Sequence, residues 1–123
     1  MVSYSDYEIL HIIQKELDQQ RTIILAPVIR SRKGHYRELF EQTARQGFLR
    51  VRVDGELREI TAGMKLDRFK THDIEIVIDK LVIKQENEKR LKQSIETAMK
   101  YGNGLMMTVD IDTEKERFFR VLS

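Results

Sequence analysis

The segment Phe48-Leu49-Arg50-Val51-Arg52-Val53 alternates apolar and basic residues with a period of two, the pattern of a half-buried strand. Alternation puts Arg50 and Arg52 on one face and Leu49, Val51 and Val53 on the other. Two guanidinium groups two residues apart stand roughly 7 Å from each other and form a rigid ladder of donors for carboxylates or phosphates. The plainer explanation is cross-strand pairing with Glu56 or Glu59 on a wet sheet face, and local sequence alone favours it. A second basic cluster, Arg30-Ser31-Arg32-Lys33-Gly34, reads as a loop able to hold phosphate or an acidic partner. It precedes a helix, whose N-terminus favours anions, so its placement is electrostatically poor unless the charge is used. The pair Asp79-Lys80 interrupts an apolar run. A buried, unpaired lysine is strongly destabilising, so Lys80 must snorkel, find an acid, or stand at an exposed rim or interface.

Catalysis finds little support. His11, His35 and His72 are isolated from one another, with no metal-ligand spacing, and each reads as a solvated or hydrogen-bonded structural residue. Gly-x-Ser-x-Gly and Gly-x-x-x-x-Gly-Lys-Ser/Thr are both absent. Arg32-Lys33-Gly34 lacks the earlier glycine that would let backbone amides wrap a phosphate. The acidic tip formed by Asp110, Asp112, Glu114 and Glu116 has no calcium-loop spacing and reads as a solvated turn. There is no cysteine, hence no thiolate nucleophile, disulfide or Cys-based metal site. The chain is therefore expected not to be an enzyme; a pocket joining His72 to carboxylates would reverse that.

The elements that must position these residues follow from periodicity. Ser5-Asp6-Tyr7-Glu8 is a capping box, and Ile9, Leu10, Ile13 and Leu17 recur at helical spacing behind it, predicting a helix to about Gln20. Residues 22–29 predict a strand; Pro27 within it predicts an edge, or an end nearby. A second helix carries Tyr36, Leu39, Phe40, Thr43 and Ala44 on one stripe and stops at Gly47. Asp54-Gly55 predicts a hairpin returning over residues 56–60. A two-residue loop pairs Val53 with Glu56; a three-residue loop pairs Val53 with Leu57 and matches the apolar faces better. A polar connection containing Gly63 leads to the longest predicted strand, residues 73–84, apolar on both faces and hence central. Asn87 is placed to cap a third helix with Leu91, Ile95, Ala98 and Met99 inward, ending at Gly102-Asn103-Gly104. Residues 105–111 and 117–122 predict a last hairpin bearing Phe118 and Phe119. Those rings need cover, so flanking sequence is expected.

The order α-β-α-β-β-β-α-β-β predicts an α+β fold: one small domain, a mixed or antiparallel sheet and about three helices. At 123 residues, with 41% hydrophobic and 34% charged, the chain fits one core under a heavily charged surface. The 22 Lys and Arg nearly balance the 20 Asp and Glu, so bulk charge does not select nucleic acid and recognition must come from local clusters. No apolar run reaches the roughly 20 residues of a membrane span, and Met1-Val2-Ser3-Tyr4-Ser5 carries no signal-peptide pattern.

Five ordered blocks resemble one family. Residues 24–34, Ile-Leu-Ala-Pro-Val-Ile-Arg-Ser-Arg-Lys-Gly, are similar to its Leu-Ala-Pro and Arg-x-Arg-Lys-Gly stretch. Residues 47–56, Gly-Phe-Leu-Arg-Val-Arg-Val-Asp-Gly-Glu, are similar to its Gly-Phe-x-Arg-x-Arg-x-Asp-Gly hairpin. Lys65-Leu66-Asp67, the run His72 to Lys80, and Arg90-Leu91 with residues 94–98 match further blocks in order. The family is UvrA, the damage-sensing ATPase subunit of bacterial nucleotide excision repair, and the resemblance covers nearly the whole chain. It implies that residues 1–123 are a UvrB-interaction domain from a longer, homodimeric, cytoplasmic protein, with UvrB as partner and DNA met through the full-length protein. It implies no membrane association and no cofactor in this stretch, ATP and zinc belonging elsewhere in the full-length protein. Arg50 and Lys80 are the implied partner contacts, with Arg52 and Asp79 as candidates beside them. Family members usually carry arginine where Lys80 stands; lysine keeps the charge but loses the bidentate fork. Ser31 and His35 replace the commoner Gly and Glu. The alternative is a nucleic-acid-binding module using Arg30, Arg32 and Lys33 on phosphates.

Overall fold

Ser5 begins the first helix as its sequence predicts. Its hydroxyl accepts from the Glu8 N–H at 3.2 Å, and Glu8 Oε1 accepts from the Ser5 N–H at 3.1 Å. Both donors are among those a helix start otherwise leaves unpaired. In the computed structural model, which describes residues 3–121, this helix is α1, Asp6–Glu16, and it buries Ile9, Leu10 and Ile13. It stops short of Gln20. The Leu17 N–H still bonds to Ile13 O, but Gln19 turns left-handed (φ 66°) and gives its N–H to Ile83 O at 2.6 Å, so a tertiary bond replaces the next helical one.

The remaining elements are β1 Ser3–Tyr4, β2 Arg21–Lys33, α2 Arg37–Arg45, β3 Arg50–Val53, β4 Glu56–Glu59, β5 Thr71–Val82, α3 Glu88–Tyr101, β6 Leu105–Asp110 and β7 Glu116–Val121, with a 3-10 turn at Gln85–Asn87. The class is α+β with three helices, as predicted. β1 is an addition to the predicted order and pairs parallel with β7; β2–β6, β3–β4, β3–β5 and β6–β7 are antiparallel. Leu122 of the predicted last strand lies outside the described residues, as do Met1 and Val2. This small domain divides into two compact units, one comprising the chain to Ala26 and from Ile78 onward, the other Pro27–Val77; β2 and β5 contribute to both.

In the first unit the strand order is β1-β7-β6-β2-β5. β2 pairs with β6 from Thr22↔Asp110 to Leu25↔Met107, and β6 pairs with β7 from Leu105↔Arg120 to Val109↔Glu116. Residues of α1 (Ile9, Ile13) and α3 (Leu91, Ile95, Ala98) cluster with Ile24, Leu81, Met106 and Phe119. Phe119 is fully buried, its ring edge-on to Tyr4; Phe118 is half-buried. Asn87 takes the N-cap position of α3, but its side chain donates to Val82 O at 2.7 Å and makes no capping bond. Gly102 is obligatory behind α3, since a Cβ there would lie 1.9 Å from Leu105 O.

In the second unit the order is β2-β5-β3-β4. β2 is an outer strand here, and its pairing with β6 ends at Leu25. Pro27, which has no N–H to give, therefore stands where one side of the strand has become free. The strand nonetheless continues to Lys33, which makes it 13 residues long against 12 for β5 and absorbs the predicted loop Arg30–Lys33. The Ser31 N–H bonds to Asp73 Oδ1 at 2.7 Å, a contact 42 residues away in sequence that local reading cannot supply. Phe40 of α2, Val51, Val53, Met64 and Ile74 form the core. Of the predicted α2 stripe, Phe40 and Thr43 are buried, Tyr36 and Leu39 half-buried, and Ala44 exposed.

The β3–β4 hairpin pairs Val53 with Glu56, not Leu57. Asp54 (φ 50°) and Gly55 (φ 86°) both take left-handed conformations, the requirement of a two-residue type I′ turn. Every residue of β4 is exposed, so burial has no hold on Leu57 and turn chemistry decides the register. Leu49, expected inward with Val51 and Val53, precedes β3 and is 77% exposed.

Candidate functional site

Directly opposed residues of a sheet share a face. In the second unit one row runs Glu75–Arg52–Leu57 and the adjacent one contains Arg50–Glu59, on the face opposite Val51, Val53 and Ile74. The two strand arginines thus lie on one face as predicted, but they are not equivalent. Arg52 Nη1 donates to Glu75 Oε1 at 2.8 Å, and the two side chains are only 13% and 1% exposed. Burial pushes the Glu75 carboxyl up, against the hydrogen bond from Arg52 and the charges of Arg52 and Arg30. Arg52 is therefore ion-paired within its own fold, as the plainer explanation has it, and the acid it takes here comes from β5. Arg50 is exposed, and its side chain makes no hydrogen bond or ion pair among the described residues, although Glu59 is its register partner. Arg30, Arg32 and Lys33 are exposed along the end of β2. Leu57, opposite Arg52, adds apolar surface to this face at 53% exposed; Leu49 and Phe69 are each 77% exposed elsewhere in the unit.

His72 organises the turn of that hairpin. Its Nδ1 lies 2.7 Å from Asp54 Oδ2 and its Nε2 2.8 Å from Asp67 O. A carbonyl and a carboxylate only accept, so both ring nitrogens must carry protons and the imidazolium is the favoured form. The hydrogen bond to Asp54 and that to Asp67 O raise its pKa. Burial opposes the Asp54 carboxylate, but bonds from His72 and from the Asp73 N–H outweigh it and hold its pKa below the usual range. Asp54, Glu56 and Asp67 do line a shallow cleft with His72. Because both ring nitrogens are engaged, that cleft offers no free imidazole nitrogen for proton transfer. His35 Nδ1 accepts from the Arg37 N–H, and His11 stacks edge-on with Tyr7.

In the first unit Asp79 is held on three sides. Arg90 donates to it through Nε at 2.9 Å and Nη2 at 2.6 Å, Ser94 Oγ at 2.8 Å and the Lys80 N–H at 2.8 Å. Burial opposes its charge, but these donors prevail and depress its pKa. Arg90 also donates to Lys80 O at 3.2 Å, so this cluster fixes the backbone on either side of Lys80. Asp79 is thus occupied by donors of its own fold, and Lys80 stands exposed with no ion pair to its ammonium among the described residues. The sequence reading missed the Asp79–Arg90–Ser94 constellation. Its signal was available: Arg90 and Ser94 are four apart on one helix face.

At the acidic tip, Asp110 Oδ1 accepts from the N–H groups of Asp112 and Thr113, and Asp112 pairs with Arg21 at 2.6 Å. Among the described residues no group of three or more His, Cys, Asp or Glu is placed to hold a metal, and no helix is long and apolar enough to cross a membrane.

Residues 5–112 match the family described as the UvrA interaction domain. The chain is 40% identical over 114 residues to the UvrABC system protein A of Thermus thermophilus, covering 91% of this chain and 12% of that protein. It is 38% identical over 115 residues to that of Aquifex aeolicus, covering 94% and 12%, and 42% identical over 96 residues to that of Bacillus subtilis, covering 78% and 10%. The chain thus spans about an eighth or less of the length of these relatives. It belongs to the UvrA interaction domain family.

Proposed function

We propose that this domain is the part of a longer UvrA chain that docks UvrB in nucleotide excision repair, using Arg50 as its principal donor and Lys80 as a second. The observation that carries the reading is the contrast between two arginines on one strand face. Arg52 is neutralised by Glu75, whereas Arg50 is exposed and has no ion pair among the described residues. A guanidinium in that state suits a carboxylate on another molecule, and Leu57, exposed on the same face, adds apolar contact to a charged surface. Association of this kind is steered by charge and weakened by salt. In this reading Arg52 and Asp79 each hold the local frame of the docking residue beside them, Arg50 and Lys80. ATP hydrolysis and zinc binding belong to the rest of a homodimeric, cytoplasmic protein, since this chain has neither a phosphate loop nor cysteine.

Calorimetric titration of the domain with UvrB tests the assignment. Arg50→Glu is expected to abolish binding with the melting temperature nearly unchanged. Normal binding by that variant defeats the site; no binding by the wild type defeats the function. If instead the domain binds duplex DNA, with affinity that falls steeply as salt rises and is weakened by Arg32→Ala, the basic end of β2 is a nucleic-acid site.

A further inference from the structure

The first unit contains a cleft of about 360 Å3 whose lining includes Arg21, Lys80, Val82, Lys84, Asn87 and Arg90. Four of these are cations, and they fall into two classes. Arg21 is matched by Asp112 and Arg90 by Asp79. Lys80 and Lys84 are exposed, and neither ammonium has an ion pair among the described residues. Two positive charges therefore remain for something entering the cleft.

The backbone beneath both lysines is fixed. The Asp79–Arg90 cluster binds Lys80 through its N–H and carbonyl. Lys84 O accepts from the Asn87 N–H at 2.9 Å, and Asn87 Nδ2 donates to Val82 O. Ile83, between Val82 and Lys84, exchanges both backbone bonds with residues 19 and 20, at 2.6 and 3.0 Å. A rigid frame carrying two uncommitted ammonium groups lowers the ordering cost of binding an anion.

We propose that this cleft receives a carboxylate side chain projecting from the docked protein partner, and that Lys84 is a docking cation alongside Lys80. The inference rests on the docking function proposed above and adds a second contact residue to it. A protein acid fits better than a nucleic acid for two reasons. The cleft is concave with aliphatic side chains, Leu81 and Val82, among its lining, which suits the methylene stem of a glutamate or aspartate, whereas the phosphates of a duplex lie on a convex surface. The unit around it carries 11 Lys and Arg against 12 Asp and Glu, a balance that does not attract a polyanion.

The test titrates UvrB, and separately a short DNA duplex, into four proteins: wild type, Lys84→Glu, Lys84→Gln and the control Lys89→Glu, an exposed α3 residue outside the cleft lining. Lys84→Glu is expected to weaken UvrB binding by about tenfold or more, Lys84→Gln by less, and Lys89→Glu by less than about twofold, with all four melting alike. Unchanged binding by both Lys84 variants, while Arg50→Glu abolishes it, overturns the cleft and leaves the docking function standing. Failure of the wild type to bind removes both. Loss of duplex binding by Lys84→Glu without loss of UvrB binding reassigns the cleft to nucleic acid and overturns the proposal.

Discussion

The two units carry the same number of basic residues and use them differently. The unit formed by the chain to Ala26 and from Ile78 has 11 Lys and Arg, four of them arginine; Pro27–Val77 also has 11, eight of them arginine, against only eight Asp and Glu. In the first unit three of the four arginines are tied down: Arg21 to Asp112, Arg90 to Asp79 and Arg117 to Glu16. In the second, Arg37 and Arg52 have acids of their own, while Arg32, Arg45, Arg50 and Arg58 have no ion pair among the described residues. The same fork-shaped donor thus serves two ends. Matched to a carboxylate of its own fold it fixes backbone and shapes a surface; left exposed on a strand or helix it is available to another molecule. Lysine shows the converse in the first unit, where the uncommitted charge at the cleft is on Lys80 and Lys84.

Arg52 is the sharpest exception within its unit, and removing it should have the largest effect. Arg52→Ala strands Glu75, whose carboxyl is almost wholly buried, and is expected to destabilise the fold by about 3–5 kcal/mol in a denaturant titration. Arg50→Ala on the same face should leave the midpoint within about 0.5 kcal/mol. Equal effects from the two variants would erase the distinction on which the site rests.

Arg90→Ala probes the first unit. Its guanidinium is about half exposed but bidentate on Asp79, so a loss of about 1 kcal/mol is expected, at the upper end for a solvent-accessible pair. The informative part is functional: UvrB affinity should fall, because the frame of Lys80 loosens, and Lys84→Glu should then add less than it does alone. Fully additive losses would detach the Asp79 cluster from the cleft.

The smallest effect concerns pH. The folded His72 has a raised pKa, so the native state holds a proton the unfolded chain releases near pH 6.5. Its stabilisation is complete below about pH 6.5 and fades as pH rises through the higher folded value. As pH rises above about 6.5 the wild type should lose stability that His72→Asn does not lose, read as a shrinking gap between their denaturant midpoints. Parallel curves for the two proteins would show that the imidazolium does not hold the hairpin turn.

Much of the fold was legible because it is local. The capping box Ser5–Glu8 closes within four residues, the period of α3 names its buried stripe, and Asp54-Gly55 announces a turn whatever surrounds it. The errors came where distant chain competes with local preference. Leu57 looked as though it should match an apolar face, but β4 has no buried face to match. The run Arg30–Lys33 looked like a loop, yet the strand persists beside β5, with Ser31 held by Asp73. The end of α1 yielded to a bond from Gln19 to Ile83.

Sequence alone determined the three helices and every strand but β1, the family and the shared face of Arg50 and Arg52, because side-chain periodicity and turn chemistry act over a few residues. Tertiary structure alone decided which of those arginines is neutralised, and that Asp79 serves Arg90 and Ser94. Glu75 is 23 residues from Arg52, and Arg90 is 11 from Asp79. A charge is neutralised only by what the folded chain brings within about 4 Å of it, and strand register and helix placement set that distance.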